Sequence, residues 1–343
     1  MSHRIHIEPS GHELIAESGE SVLDAALRQG LALPYGCRNG ACRSCKARIL
    51  DGEVVYPGGV PPSLTALDTA QGFALPCMAR PLSDLRIEVE EIDSEQKIVV
   101  RNLPCRVVEK HQLAHDVVGL ELALPASERL QYLPGQYVDV LLRNGRRRAF
   151  SIANAPRDDD RLELQIRHVP DGTFSEYVFH HLKDRALLRL RGPLGSFYLR
   201  GKDHHPVILV AGGTGFAPVK AIVEGALAAG FADKMHLYWG VRARRDLYLQ
   251  DQVDAWASEH ERFAYTPVLS EPDARDAWTG RTGFVHEAVL ADYPDLSAFT
   301  VYASGPPVMV AAGREQFTAR GLDPASFHSD SFDYAYETGH DVA

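Results

Sequence analysis

Short segments in which apolar and polar residues alternate dominate the first quarter of the chain. Ser10-Gly11 separates the first two of these segments, which predicts a β-hairpin. Ser21 is a good N-cap for a short helix, and Gly30 suits the end of that helix. The predicted elements of this block are strands at 3–7, 13–16, 47–50 and 85–90, a helix at 22–29, and a loop rich in glycine and cysteine at 35–46.

The middle of the chain keeps the alternating pattern after a linker. Residues 92–103 are predicted to be this linker, because they begin with polar residues and Pro104 follows them. Many short strands separated by turn residues are typical of a small antiparallel barrel. The predicted strands are 105–110, 117–124, 137–141, 162–168 and 187–191.

The last part of the chain has a different rhythm, in which continuous apolar segments alternate with helical ones. Such an alternation predicts a parallel, doubly wound sheet with helices on its faces. The predicted strands are 206–211, 236–241, 264–269 and 300–303, and the predicted helices are 217–229 and 246–260.

Composition narrows the class of protein. A chain of 343 residues suggests two or three domains. The net charge of −10 argues against nucleic acid as the main partner, although the middle segment is basic and suits either an anionic ligand or a solvated surface. Because there is no long apolar run and the first residues lack the apolar core of a signal peptide, we expect a soluble cytoplasmic protein.

Four of the five cysteines have the spacing of an iron–sulfur loop. Cys37, Cys42 and Cys45 follow the pattern C-x4-C-x2-C, which is that of plant-type [2Fe–2S] sites, and Cys77 lies further along the chain. Small residues between them let backbone N–H groups approach the sulfur atoms. Zinc or purely structural thiols are the alternatives, but zinc ribbons usually bring two C-x2-C pairs. Cys105 is expected to pack as a small apolar residue.

The middle block contains residues that suit a flavin. Arg148, Phe150 and Ser151 offer a cation for a pyrophosphate, a ring for the isoalloxazine and a hydroxyl for a ring nitrogen. Residues 167–175 place a turn and a hydroxyl after a strand, which suits phosphate oxygens, and 192–197 form a tight loop at the end of the barrel. The alternative is a solvated cluster of arginines.

A glycine loop begins the helix at 217–229. Residues 207–218 give a buried strand, the turn Gly-Gly-Thr-Gly and a helix start that Pro218 suits. The N-terminus of a helix attracts pyrophosphate, although this loop is not the G-x-G-x-x-G fingerprint. The strand that ends at 238–242 lies where adenosine would bind in such a sheet. Residues 302–307 repeat the pattern of strand then glycine, with a structural turn as the alternative.

With these motifs in place, the chain resembles the three-domain reductases that join a plant-type ferredoxin domain to a ferredoxin-NADP reductase-like module. CDP-6-deoxy-3,4-glucoseen reductase of deoxysugar synthesis and the reductases of phenol hydroxylase and methane monooxygenase share this order. The resemblance covers essentially the whole chain. It implies a multidomain α+β fold with a β-grasp ferredoxin domain at 1–93, an antiparallel Greek-key FAD barrel at 101–200 and a Rossmann-like α/β NAD(P) domain at 203–343.

The resemblance also implies roles for single residues, with Ser151 and Ser304 as catalytic residues. Phe150 stands where tyrosine is usual, which removes a hydroxyl and keeps the ring. Ser304 stands where many relatives have cysteine, and we expect hydride transfer to survive at a lower rate. The implied cluster ligands are Cys37, Cys42, Cys45 and Cys77; the FAD contacts are Arg148, Phe150, Ser151, Arg167, Gly172 and Ser175; the NAD(P)H contacts are Gly213, Thr214, Gly215, Arg242, Ser304, Gly305 and Pro306.

The implied function is electron transfer from NAD(P)H through FAD and a [2Fe–2S] cluster to a partner protein. The family favours NADH, although Arg242, Arg244 and Arg245 suit the 2′-phosphate of NADPH. The partner is expected to dock near residues 37–46 and to be a dehydrase or an oxygenase component, with no role for nucleic acid or a membrane. A non-enzymatic iron–sulfur sensor or binding module is the alternative of another class.

Overall fold

The computed structural model describes residues 2–91, 99–156, 161–200, 205–231 and 233–332. The chain divides into two compact units, Met1–Lys97 and Ile98–Ala343. Within those residues, every helix is too short or too polar to cross a membrane. The predicted domain limits at 93, 203 and 343 fall on residues outside the described part, and they stay predictions.

The first unit is built on a mixed five-stranded sheet. Its strand order is β2-β1-β7-β3-β5, in which β1 and β7 are parallel and the other neighbours are antiparallel, and β4 pairs with β6 separately. This sheet confirms the predicted hairpin and the β-grasp class. The elements are β1 (His3–Glu8), β2 (Glu13–Ala16), α1 (Val22–Arg28), β3 (Ala47–Asp51), β4 (Val54–Val55), α2 (Ala66–Ala70), β5 (Phe73–Ala74), β6 (Arg80–Pro81) and β7 (Leu85–Glu88).

Both helices of this unit begin with a side-chain cap. The Ser21 hydroxyl accepts the backbone N–H of Asp24 at the start of α1, as the sequence predicts. Thr65 and Asp68 form a capping box at the start of α2, a helix that was not predicted because it has only five residues. The two helices lie on either side of the cysteine loop in sequence.

The second unit begins with a six-stranded antiparallel barrel. Its strand order is β11-β10-β13-β8-β9-β12, and a bridge between Ile152 and Leu164 joins the two ends of the sheet. Strand β13 lies between β8 and β10, so neighbours in the barrel are not neighbours in sequence, as predicted for a Greek key. The elements are β8 (Arg101–Ala114), β9 (Val117–Ala123), β10 (Tyr137–Leu141), β11 (Arg147–Ser151), β12 (Arg161–Arg167), α3 (Thr173–His180) and β13 (Leu187–Leu194).

Helix α3 occupies a segment where only a turn was predicted. Asp171 has a left-handed φ of 63° and Gly172 is the N-cap, so the turn residues lead directly into a helix. The Lys110 ammonium donates to the carbonyl oxygens of Val178 (3.2 Å) and Leu182 (3.0 Å), and it thereby stabilises the carboxyl end of α3.

A parallel six-stranded sheet completes the second unit. Its order is β17-β16-β15-β14-β18-β19, and every neighbouring pair is parallel, which confirms the predicted doubly wound sheet. The elements are β14 (Val207–Gly212), α4 (Phe216–Ala228), β15 (Met235–Val241), α5 (Gln250–Glu259), β16 (Phe263–Leu269), β17 (Arg281–Thr282), α6 (Val285–Asp292), β18 (Thr300–Gly305), α7 (Pro307–Thr318) and β19 (Phe327–Ser331).

Both faces of this sheet are buried. Leu209 and Ala211 of β14 pack with residues of α4 and α5, whereas Ile208 and Val210 of the same strand pack with α6 and α7. Successive side chains of a strand point to opposite faces, so a continuous apolar strand needs a cover on both sides. This explains why β14 is apolar along its whole length.

Several predicted boundaries are wrong. Strand β8 begins at Arg101, so the linker predicted at 92–103 is too long, and residues 92–98 lie outside the described part. Proline rarely occurs inside a strand, but Pro104 pairs with Arg189 of β13. The helix predicted at 246–260 begins only at Gln250, because a 3-10 turn precedes it. The loop predicted at 192–197 starts within β13, which ends at Leu194.

Candidate functional site

The cysteine loop brings its thiols together in two pairs. The backbone N–H of Cys42 donates to Sγ of Cys37 at 3.3 Å, and the N–H of Cys37 donates to Sγ of Cys42 at 3.4 Å. Cys45 is hydrogen-bonded to Cys77, which follows β5. All but Cys37 are buried, and Cys37 is half-buried. Cys105, in contrast, lies in the barrel core, as predicted.

Contacts within each pair shift the pKa values of the thiols. The hydrogen bond from Cys37 lowers the pKa of Cys42 to about 5, and it outweighs burial, which acts in the opposite direction. The pKa of Cys37 is raised by its hydrogen bond to Cys42 and then by burial. The hydrogen bond to Cys77 and then burial raise the pKa of Cys45. Because the thiolate is the form that ligates a metal, these thiols must lose their protons when a cluster binds.

Two carboxylates hold the cations of this loop. Nη2 of Arg38 lies 2.6 Å from Asp24 Oδ1, at the start of α1. Asp68, in the first turn of α2, accepts from Arg43 at 2.9 Å and from Lys46 at 2.5 Å. Burial raises the pKa of Asp68, but the hydrogen bonds from Lys46 and Thr65 and the charge of Arg43 outweigh burial and hold that pKa well below its ordinary value.

The chemistry of this donor set fits a [2Fe–2S] cluster. Four thiols lie in two pairs, and backbone N–H groups, including that of Ser44 at 3.5 Å from Cys42 Sγ, point at sulfur. Arg38 and Arg43 adopt left-handed backbone conformations with φ near 60°, which lets the loop turn sharply around the sulfur atoms. Iron–sulfur clusters are held by such thiolates and tuned by such hydrogen bonds.

The residues predicted to contact FAD lie on β11, on β12 and at the start of α3. Phe150 packs its ring against Phe174 at 5.4 Å between centroids. The Ser175 hydroxyl lies 3.0 Å from the carbonyl oxygens of Val169 and Gly172, so it also holds the turn before α3. Arg148, which is half-buried, donates to the carbonyl oxygen of its own neighbour in β11 at 2.9 Å.

Arg167 lies at the border between the barrel and the glycine loop. Asp116 holds its guanidinium, at 2.9 Å from Nε and 2.8 Å from Nη2. Its Nη1 is 3.4 Å from the position that a Cβ on Gly213 would occupy. The structure therefore brings together a residue predicted to bind FAD and a residue predicted to bind NAD(P)H, although 46 positions separate them in sequence.

Packing against β18, as well as the predicted binding of a nucleotide, requires glycine in the loop that joins β14 to α4. The loop joins β14 to α4 as a 3-10 turn, Gly213–Gly215. A Cβ on Gly215 would lie 2.1 Å from the carbonyl oxygen of Ser304, so this glycine is required by the approach of β18 and not only by a ligand. Trp239 donates its indole N–H to the carbonyl oxygen of Gly213 at 3.0 Å.

Ser151 and Ser304, the predicted catalytic residues, both lie next to Asp330. The sequence analysis did not single out this residue. The Ser151 hydroxyl lies 3.4 Å from Asp330 Oδ2. Asp330 lies on β19 directly opposite Ser304 of β18. The Ser304 side chain is fully buried, and its hydroxyl has no hydrogen-bond partner among the described residues. An orphaned buried hydroxyl beside Asp330 fits a ligand that supplies the missing contact.

The predicted arginines lie beyond the end of β15. Arg242 is exposed, and the side chain of Arg245 is 72% exposed. Arg244 donates to the carbonyl oxygen of Asp276 at 3.1 Å. Pro306 is the N-cap of α7, directly after Gly305. These residues lie at the carboxyl ends of parallel strands, where α/β sheets bind nucleotides.

Comparison with family models identifies three segments. Residues 5–82 match the 2Fe-2S iron-sulfur cluster binding domain. Residues 104–198 match the oxidoreductase FAD-binding domain, and residues 209–315 match the oxidoreductase NAD-binding domain. These matches confirm the predicted cofactors in the predicted order.

Full-length relatives and solved structures agree with these matches. The CDP-6-deoxy-L-threo-D-glycero-4-hexulose-3-dehydrase reductase of Yersinia pestis is 40% identical over 97% of this chain and 99% of its own length. The phenol hydroxylase P5 protein of Acinetobacter pittii is 32% identical over 97% of this chain and 95% of its own. The crystal structure of an Amycolatopsis cytochrome P450 reductase has a TM-score of 0.80 and 34% identity, and it covers 97% of this chain and 100% of its own.

The predicted class of enzyme is therefore confirmed. The protein is an oxidoreductase that transfers electrons from NAD(P)H through FAD to a [2Fe–2S] cluster. Its relatives are reductase components that serve dehydrases or oxygenases. The chain belongs to the family of reductases in which a ferredoxin-type domain, an FAD-binding domain and an NAD-binding domain follow one another on one polypeptide.

Proposed function

We propose that this chain supplies single electrons to a dehydrase that deoxygenates a nucleotide-linked sugar. One observation carries the proposal: the identity of 40% extends over essentially the full length of a reductase named for such a dehydrase. The phenol hydroxylase P5 protein covers the same 97% of this chain, but its sequence identity is 32%. The higher sequence identity to the dehydrase reductase favours a dehydrase over an oxygenase as the partner.

In this proposal, the four thiols of the two pairs hold the cluster. Cys37 and Cys42 ligate as one pair, and Cys45 and Cys77 as the other, because these are the pairs in contact. Asp68 forms ion pairs with Arg43 and Lys46, two cations of the loop, and thereby ties the loop to the start of α2. Residues 37–46 form the proposed docking face, since electrons leave most readily where the cluster is nearest the surface and Cys37 is the least buried ligand.

The residues of the barrel and the sheet then bind FAD and NAD(P)H. When bound at these residues, FAD would supply the chemistry that links a two-electron hydride donor to a one-electron acceptor. Arg148 and Arg167 bind phosphate, and Phe150, supported by Phe174, offers a ring face to the flavin. Ser151 and Ser304 are the proposed catalytic residues: Ser151 donates a hydrogen bond next to the flavin, and Ser304 orients the nicotinamide. The remaining proposed contacts are Gly172 and Ser175 for FAD, and Gly213, Thr214, Gly215, Arg242, Gly305 and Pro306 for the nucleotide, with NADH favoured.

An oxygenase component is the second candidate partner. The Amycolatopsis reductase, whose name gives a cytochrome P450 as its partner, is 34% identical in sequence and covers 97% of this chain. The same electron path would serve this partner, because both kinds of acceptor take electrons one at a time. The distinction therefore lies in the docking face and not in the flavin site.

The first stage of the test counts electrons in an anaerobic titration with NADH. We expect the wild-type absorbance to stop bleaching near about three electron equivalents, two for FAD and one for the cluster. Cys45→Ser removes a cluster ligand, so its titration should stop near about two. Cys105→Ser is the matched control, since this thiol lies in the barrel core, and it should titrate as the wild type does.

The second stage adds the partner. The Yersinia 3-dehydrase and its CDP-hexulose substrate are supplied to each variant, and formation of the deoxygenated sugar is measured with NADH as donor. Wild type and Cys105→Ser should support product formation, and Cys45→Ser should not. If the wild type titrates normally but yields product only with an oxygenase component, the dehydrase assignment is wrong and the reductase assignment stands.

A further inference from the structure

Lys220 is a buried cation within the second unit. It lies on α4, five residues after the end of the glycine loop at Gly215, and it is 2% exposed. Its ammonium donates to the carbonyl oxygen of Ala153 (2.9 Å), to Glu163 Oε2 (2.9 Å) and to Glu224 Oε1 (2.8 Å). A lysine has three N–H donors, so these three acceptors use all of them.

The second oxygen of each carboxylate is occupied as well. The backbone N–H of Ala155 donates to Glu224 Oε2 at 3.0 Å. The amide of Gln165 donates to Glu163 Oε1 at 3.0 Å, and the Gln165 carbonyl in turn accepts the Tyr248 hydroxyl at 2.7 Å. Taking one cation and two carboxylates out of water is costly, and an apolar cluster of the same volume would stabilise a fold as well. Such a complete network therefore serves geometry more than stability.

The network joins the two sides of the flavin site. Ala153 and Ala155 follow Ser151, the last residue of β11, whereas Lys220 and Glu224 lie on the helix that the glycine loop begins. Glu163 lies on β12 of the barrel. Each contact is directional and about 3 Å long, so a shift of α4 along the barrel would break several of them together.

We propose that Lys220 is a positioning residue for hydride transfer: it fixes the register between the segment that carries Ser151 and the helix that carries the glycine loop. The proposal rests on the flavin and nucleotide contacts proposed for these two segments. A displacement of one reactant relative to the other lowers the rate of the chemical step far more than it lowers affinity.

The test measures flavin reduction by NADH in anaerobic stopped flow with the FAD-loaded and cluster-loaded enzyme. Lys220→Met keeps an unbranched side chain that is one heavy atom shorter, and it removes the three N–H donors. We expect the limiting rate of flavin reduction to fall by about tenfold or more, while the dissociation constant for NADH stays within about threefold. A hydride that is poorly aligned makes chemistry slower, so NADH deuterated at C4 should also show a larger isotope effect than in the wild type.

Lys110→Met is the matched control. Lys110 also donates to two carbonyl oxygens, but both belong to the barrel, at the end of α3 and just beyond it. This variant should lose thermal stability and keep the limiting rate within about twofold of the wild type. If Lys220→Met loses stability and keeps the rate in the same way, the network is only structural and the proposal is wrong.

Glu224→Gln, which keeps the shape of the glutamate side chain, is the second variant in case Lys220→Met does not fold. It weakens one arm of the network and leaves Glu163 in place, so a smaller fall in the limiting rate is expected, again with little change in affinity. An unchanged rate in this folded variant would overturn the proposal. Since the readout is flavin reduction, it is independent of whether the final acceptor is a dehydrase or an oxygenase.

Discussion

The roles of the cysteines could be predicted from the sequence, whereas the contact of Asp330 could not. Three of the four proposed cluster ligands lie on one loop, so their spacing alone predicts their chemistry. Asp330 meets Ser151 across 179 positions, and no local pattern links the two. The partners of Lys220 on the barrel are 57 and 67 positions away. Residue roles that depend on such long-range pairs become visible only when the strands are placed.

Ser304 allows a test at the scale of a single hydroxyl. Ser304→Ala should leave stability unchanged or slightly higher, because no described residue bonds the hydroxyl that it removes. It should lower the limiting rate of flavin reduction by about tenfold, the value of one hydrogen bond of about 1.4 kcal/mol made during hydride transfer. Stopped-flow reduction by NADH and urea unfolding measure the two effects.

Thr300→Val is the control for that experiment. Thr300 lies at the opposite end of β18, and its hydroxyl is likewise buried and without a partner in the described ranges. It should not change the rate. Equal rates in Ser304→Ala and the wild type would mean that Ser304 makes no contact of consequence with the nicotinamide.

At the scale of elements, strands were easier to predict than helices. Alternation with a period of two identified most of the barrel strands, because each buries one side. Helix α3 was missed because its N-cap is a glycine within a turn sequence, and β19 was missed because its buried positions include serine and aspartate. Because these buried residues are polar, a search for alternating apolar residues does not detect the strand.

Helix α4 gives a prediction about packing. Gly225 lies in this helix, where alanine normally stabilises by up to about 1 kcal/mol. A Cβ at this position would lie 2.7 Å from Cγ of Pro134, whose ring cannot move aside easily. Gly225→Ala should therefore lower the free energy of unfolding by about 1–3 kcal/mol, measured by urea denaturation.

Gly313 of α7 is the matched position. Its added Cβ would meet the Phe317 ring at 3.4 Å or more, which is ordinary contact. Gly313→Ala should raise the free energy of unfolding by up to about 1 kcal/mol. If both variants were stabilising, the contact between α4 and the segment at Pro134 would be looser than described.

At the scale of the whole molecule, the three family matches explain why the class of enzyme could be predicted. Each cofactor has its own local motif, and the order of the motifs along the chain specifies the electron path. The packing of the parallel sheet against the barrel within the second unit has no such motif. It depends on α4, Tyr248 and β19, whose contacts join segments far apart in sequence.

Stability of this second unit should depend on pH through His328. Burial, and then the charges of Arg200 and Arg314, lower the pKa of His328 to about 3, so the ring is neutral in the folded protein and packs on Tyr302. Below about pH 6.5 the unfolded chain binds a proton that the folded chain does not. Stability is therefore fully present above that pH and falls as the pH falls toward 3, by up to about 1.4 kcal/mol per unit.

Urea unfolding at pH 7 and pH 5 measures this dependence. His328→Gln should reduce the difference between the two midpoints, because it removes the proton uptake of the unfolded chain. The same difference in His328→Gln as in the wild type would place the acid sensitivity elsewhere.

The bond between Ser151 and Asp330 has a consequence for how the protein is made. On a ribosome the cysteine unit is synthesised first, and Asp330 follows Ser151 by 179 positions. The hydrogen bond between Ser151 and Asp330 can therefore form only after the barrel and the parallel sheet as far as β19 have been synthesised. A chain that stops before Asp330 keeps all four cysteines of the proposed cluster site and lacks the hydrogen-bond partner of Ser151.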